Sequence, residues 1–196
     1  MTAPFPECAA VVIGTSAGGV DALGLLLPAL PADGQAAVFV VIHLTRERPS
    51  RLVDLFAGRC AAPVREATDK EPVVPGTVYF APPDYHLLVD AGPQVALSAD
   101  ELVNFSRPSV DVLFESAADV YGARLLGIVL TGASHDGASG LAAVARAGGR
   151  AVVQRPDTAQ VPIMAEAALV RTPSAAALPL EEIADLLAAL PRRSAS

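Results

Sequence analysis

The run AAVVI at 9–13, followed at once by GTSAGG at 14–19, constrains this chain more than any other stretch. A continuous apolar run rich in β-branched residues reads as a strand with both faces buried. Strands of that kind belong to parallel sheets, whose crossover connections lay helices over both faces. The glycines then turn the chain. Val20, Leu23, Leu27 and Leu30 return at helical spacing until Pro31 stops the pattern.

The same alternation continues. AAVFVVIHL (36–44) reads as a second buried strand. The segment 50–60 carries Leu52, Leu55 and Phe56 on one helical face, and PVREA (63–67) is a short third strand. From 72 to 108 prolines punctuate the short runs TVYFAP, HLLVDAG and QVALSA, which predicts a hairpin or meander set beside the parallel sheet. In SVDVLFESAADVYG (109–122), Val110, Leu113, Phe114, Ala117 and Tyr121 form one stripe of a helix. A strand at 125–131, a small-residue helix at 137–149, a strand at 150–154 and helices at 162–170 and 180–190 complete the chain. This order predicts an α/β fold, a doubly wound and mostly parallel sheet with an antiparallel hairpin insertion. One domain over 1–191 and a flexible tail at 192–196 are expected.

Composition narrows the function. The 196 residues are 52% hydrophobic and carry a formal charge of -7, so no basic field exists to neutralise nucleic-acid phosphates. Arg46, Arg48 and Arg51 are the only small basic cluster before the tail. Cys8 and Cys60 lie far apart without metal-ligand spacing, so neither a disulfide framework nor a metal site is expected. The apolar stretch AVFVVI is far too short to span a membrane, and MTAPFPECAA is too short and Pro-rich for a leader. A cytoplasmic protein is the resulting expectation.

Open α/β sheets bind ligands beyond the carboxyl ends of their strands. The first strand ends in Gly14-Thr15-Ser16-Ala17-Gly18, the second in His43 and Thr45, and the strand at 125–131 in Thr131-Gly132-Ala133-Ser134-His135-Asp136-Gly137. Serine, histidine and aspartate at neighbouring strand ends are the set that acyl transfer needs. The hydroxyl attacks, the imidazole carries its proton, and the carboxylate orients the imidazole. Gly14-x-Ser16-x-Gly18 fits a nucleophile elbow, with the Ala17 N–H as oxyanion donor and the Gly132–Ala133 loop as a second source. His43 Nε2 is expected to take the Ser16 proton. His135 is a rival base, ranked lower because adjacent residues rarely aim at one another. His86 has no obvious partner, and Cys60 is read as core.

Other readings stand beside this one. GTSAGG also resembles an interrupted dinucleotide fingerprint, with Ser16 where the second glycine belongs, but no acidic residue ends the second strand. His43 alone could be a core histidine satisfied by backbone, and Asp136 alone could cap a helix.

The blocks VVIGTSAGG, VIHL, VPGTVYFAPPDYHL, SRPSVDVLFESAA, GIVLTGASHDGASGL and VVQRPDTAQVPIMAEAAL occur in this order over nearly the whole chain. With them the sequence resembles the catalytic domain of CheB-type chemotaxis methylesterases (protein-glutamate methylesterases). The resemblance implies a catalytic triad of Ser16, His43 and Asp136 in that chain order. It implies hydrolysis of glutamate γ-methyl esters on chemoreceptor helices with release of methanol, glutamine deamidation as a related activity, and no cofactor. The acid loop, commonly LTGMGxDG in that family, is LTGASHDG here, so Ala133 replaces a methionine whose backbone helps form the oxyanion site. Ser134 replaces a glycine, Ser106 stands where a basic or imidazole residue is common, and Met164-Ala165 replaces a Met-Pro pair. Thr15, Thr131, Ser134, His135 and Met164 are expected at the rim of the substrate site. The nucleophile strand begins near residue 9, so no receiver domain is expected and control would fall to a separate regulatory protein. A catalytically silent binding module in a sensory system is the alternative.

Overall fold

A computed structural model describes residues 5, 7–43 and 51–193. Its elements follow the predicted alternation: β1 (Ala10–Thr15), α1 (Gly19–Leu26), β2 (Ala37–Ile42), α2 (Leu52–Ala57), β3 (Val64–Glu66), β4 (Val78–Phe80), β5 (His86–Asp90) and β6 (Gln94–Ser98). Then come α3 (Val110–Tyr121), β7 (Leu125–Val129), α4 (Ala138–Arg146), β8 (Arg150–Gln154), α5 (Ile163–Arg171), β9 (Ala176–Leu178) and α6 (Leu180–Ala188). Seven strands form one parallel sheet in the order β3-β4-β2-β1-β7-β8-β9. No helix among the described residues is long and apolar enough to cross a membrane. Thr45, Arg46 and Arg48 lie outside the described residues.

Alternate residues of each strand feed two separate cores. Val11 and Ile13 of β1 join Leu23 and Leu26 of α1, Phe56 of α2 and Ile183 and Leu187 of α6. Ala10 and Val12 face the other way, onto Val110, Leu113 and Phe114 of α3, Leu141 of α4 and Ala165 of α5. Helices therefore cover both faces, as buried parallel strands require. Val20, expected on the apolar stripe of α1, is instead exposed, and Ala22 takes the inward position.

One expectation is corrected. TVYF does not belong to a meander: β4 is fully buried and pairs in parallel with both β2 and β3. Only β5 and β6 form the antiparallel hairpin, which is a separate two-stranded sheet packed on α3 through Leu87, Val89 and Val95. At the end of the described chain two backbone hydrogen bonds reach the segment before β2. Pro191 O accepts the Gln35 N–H at 2.9 Å, and the Arg193 N–H reaches Asp33 O at 2.8 Å. The rest of the tail, 194–196, lies outside the described residues. The short edge strand β9 went unread, because AAL has no periodicity to detect.

The strand order reverses between β1, whose sheet continues through β2, and β7, whose sheet continues through β8. Such a switch point opens a crevice at the carboxyl ends of the strands. Gly14 closes its floor. A Cβ there would collide with the Val110 side chain, so the close approach of α3 to β1 depends on a residue without one. Gly14→Ala should therefore cost about 1–3 kcal/mol through overpacking, measured as a lower midpoint in denaturant unfolding with an unchanged slope.

Candidate active site

Strand register brings the chemistry together. Thr15 pairs with Ile42 across β1 and β2, and the His43 N–H donates to Thr15 O at 3.1 Å. On the other side the Ser16 N–H donates to Thr131 O at 3.0 Å. Ser16 is thus flanked by the residues that follow β2 and β7. The turn after it is capped by Gly18 at φ 79, a left-handed conformation that glycine adopts at no steric cost. Ser16 itself is not among the residues with positive φ, so it lacks the backbone strain of a nucleophile elbow. The glycines of G-x-S-x-G serve packing at 14 and the turn at 18.

His43 Nε2 lies 2.8 Å from Asp136 Oδ2, with the carboxylate fully buried and the imidazole 14% exposed. Asp136 receives four further hydrogen bonds. Oδ2 accepts the Val110 N–H (2.6 Å), and Oδ1 accepts Asn104 Nδ2 (2.9 Å), Ser109 Oγ (2.8 Å) and the Asp111 N–H (3.1 Å). Two of these donors are the first backbone amides of α3, whose unpaired N–H groups and dipole favour an anion. Burial pulls the Asp136 carboxyl up, but the hydrogen bonds from His43, Asn104, Val110 and Asp111 outweigh it and hold the group below its ordinary value. An ionised carboxylate only accepts, so Nε2 carries the hydrogen and Nδ1 keeps the lone pair. The expectation that Nε2 takes the serine proton is corrected on this ground: Nδ1 is the nitrogen available for proton transfer.

Asp136 does not cap α4, the helix that follows it in sequence. The N-cap position of α4 is Gly137, and its first amides are held by Asp111 from α3. Asp111 Oδ1 accepts the Gly137 N–H at 2.9 Å and the Gly140 N–H at 2.6 Å. Burial raises the Asp111 carboxyl, with the nearby Asp136 charge adding to the rise. Ser109 occupies the N-cap position of α3 but spends its hydroxyl on Asp136.

The expected rim divides in two. Thr15 and Thr131 are buried fasteners: Thr15 Oγ1 donates to Thr131 O at 2.8 Å, and Thr131 Oγ1 donates to Ala17 O at 2.9 Å. Met164 is buried beneath Gly132, whose carbonyl accepts its N–H at 3.0 Å. A Cβ on Gly132 would meet Ser16 Cβ at 2.8 Å and collide with the Met164 side chain, so these three residues are immediate neighbours. Ala17, Ala133 and His135 are exposed and Ser134 is half-buried. The Ala17 and Ala133 N–H groups take no acceptor among the described residues. The Ser134 hydroxyl accepts the Asp136 N–H at 3.1 Å. His86 is buried, with Nε2 bonded to Glu101 O at 2.9 Å and Nδ1 accepting the Ser109 N–H at 3.1 Å. It has two partners where none was expected.

Sequence reasoning missed Asn104, Ser109, Asp111 and Gln154. Gln154 Oε1 accepts the Thr131 N–H at 2.9 Å and so fixes the strand end beside Ser16. Asp111 was detectable in principle, because a carboxylate three residues before Phe114 falls on the buried side of α3. Asn104 sits in a loop without periodicity and leaves no such trace.

A profile described as CheB methylesterase matches residues 11–187. The chain belongs to the CheB methylesterase family. It is 43% identical over 177 residues to a putative protein-glutamate methylesterase/protein-glutamine glutaminase of Leptospira interrogans, covering 90% of this chain and 92% of that protein. A protein-glutamate methylesterase/protein-glutamine glutaminase of Symbiobacterium thermophilum is 41% identical over 181 residues, but this chain spans only 49% of its length. The crystal structure of the Thermotoga maritima CheB methylesterase catalytic domain superposes with a TM-score of 0.84 at 32% identity, covering 91% of this chain and 98% of that one.

The lowered Asp136 carboxyl fixes a sign for pH dependence. Its stabilisation is present above the carboxyl's ordinary value and is lost as pH falls through the depressed native value. In urea titrations across acid pH, Asp136→Asn should therefore be less stable than the parent near neutrality, and the difference should shrink as the pH drops. A constant difference at every pH would contradict the assignment.

Proposed function

We propose that this chain is a serine esterase that hydrolyses glutamate γ-methyl esters on methylated chemoreceptor helices, releasing methanol. The observation that carries the reading is the buried His43–Asp136 pair at 2.8 Å beside Ser16, in a chain of this family. Ser16 Oγ gives its proton to His43 Nδ1 and attacks the ester carbonyl. The negative charge that develops on the carbonyl oxygen is met by the Ala17 and Ala133 N–H groups, which have no other acceptor among the described residues. Collapse breaks the C–OCH₃ bond, and the proton on Nδ1 leaves with methanol. Water then gives a proton to Nδ1 and attacks the acyl-enzyme. Ser16 leaves with that proton, and the product is a free glutamate side chain. Asp136 holds the imidazole through Nε2 and stabilises its cation throughout.

The same steps applied to a glutamine side chain release ammonia, in keeping with the double name of the relatives. Every group in the scheme is a side chain or backbone amide of this chain. The exposure of His135 and Ala133 beside the site suits a protein substrate whose ester projects from a surface.

Methanol release from methylated chemoreceptor membranes should fall on the order of 10³-fold or more in Ser16→Ala. Undiminished release from the purified variant would remove Ser16 from the mechanism. If neither protein releases methanol and Ser16 of the parent resists a sulfonyl fluoride, the chain is a binding module instead.

A further inference from the structure

We infer that Asn104 is a positioning residue for the His43–Asp136 pair, an inference that rests on the triad reading above. Its Nδ2 donates to Asp111 Oδ2 at 2.8 Å and to Asp136 Oδ1 at 2.9 Å. A primary amide nitrogen carries two hydrogens, and here each meets a different carboxylate. The two carboxylates repel one another: the Asp136 charge is among the causes that raise Asp111. Neither takes a Lys or Arg partner among the described residues. The Asn104 amide therefore bridges the two acidic groups and offsets their repulsion, while Asp136 Oδ2 serves His43 and the Val110 N–H.

The surrounding loop is built to present that amide. Asn104 has φ 51 and Phe105 φ 60, and the left-handed region is tolerated by asparagine better than by most residues. Val103 and Ser106 close the turn with N–H···O bonds of 3.2 and 2.9 Å. Arg107 clasps its base, donating to Ala99 O, Asp100 O and Asp84 Oδ1. His86 holds Glu101 O from below. Asparagine fits all the demands made at this position. Glycine would keep the backbone but lose the donor, and aspartate would add a third negative charge.

Asn104→Gly separates these roles, because it preserves the left-handed turn and deletes only the amide. Its kcat for methanol release from methylated chemoreceptor membranes should fall about 10-fold, the worth of a charge-assisted hydrogen bond, with KM unchanged and cooperative melting retained. Adding Asp111→Asn removes one of the two facing charges and supplies an amide beside Asp136, while its carbonyl still accepts from Gly137 and Gly140. The double variant should regain at least part of the lost kcat. A merely structural role would not produce that recovery. The low-field imidazole N–H resonance of the His43–Asp136 pair supplies a substrate-free reading. It should be present in the parent, lost in Asn104→Gly and restored in the double variant.

Wild-type kcat and an unaltered resonance in Asn104→Gly would overturn the proposal, as would a loss that Asp111→Asn fails to relieve. Asp136→Asn is the control that separates the two readings. If it retains full activity, the triad itself falls. If it is inactive while Asn104→Gly is normal, only the role of Asn104 falls. Should the parent release no methanol, the resonance comparison decides.

Discussion

Helices α3 and α4 exchange aspartates, and the site depends on that exchange. Asp136 precedes α4 but lies on the first amides of α3, and Asp111 belongs to α3 but holds the first amides of α4. Each helix thus finds the anion favoured at its N-terminus on its neighbour. The cost of burying two carboxylates is offset by donors on every side. Val110 ties the same junction to the sheet. Its N–H holds Asp136, while its side chain fills the space left by Gly14 and Gly137. The strand that carries Ser16, the helix that cradles the acid and the loop that supplies it are therefore fixed by one set of contacts.

Around that junction the sheet supplies position. Parallel strands end together on one edge, so residues far apart in sequence arrive side by side without any loop having to be ordered separately. The Thr15 and Thr131 hydroxyls and the Gln154 amide pin the strand ends beside Ser16. The commitment of His43 Nε2 to Asp136 then dictates which ring nitrogen is left for chemistry. The backbone places the groups, and the buried carboxylate selects their protonation.

Much of this was legible in the sequence, for physical reasons. Strands such as AAVVI and RAVVQ are continuous apolar runs, and the strand-end rule then picks out Ser16, His43 and Asp136 without reference to any relative. Three-residue strands such as β4 and β9 carry too little pattern to assign, so TVYF reads from sequence as part of a meander. The ring nitrogen was misassigned because tautomer follows from three-dimensional hydrogen bonding and leaves no mark on residue type. Thr15 and Thr131 were expected at the rim because they lie beside Ser16 and at the start of the Asp136 loop in sequence, and Met164 because it stands at the family's Met-Pro pair. Thr15 and Thr131 at the ends of their strands and Met164 in the first turn of α5 are all buried instead. Asn104 bridges two carboxylates from a loop and Gln154 holds the Thr131 N–H from the end of β8, and periodicity does not report such contacts.

The reciprocal placement of Asp111 and Asp136 also bears on how the protein comes apart. A site carried on one loop can survive while distant parts of a molecule melt. Here neither aspartate has its partners until two helices have docked, so the His43–Asp136 pair and the α3–α4 interface form and vanish as one event. A chain in which α3 and α4 have come apart leaves both carboxylates without backbone donors from the neighbouring helix.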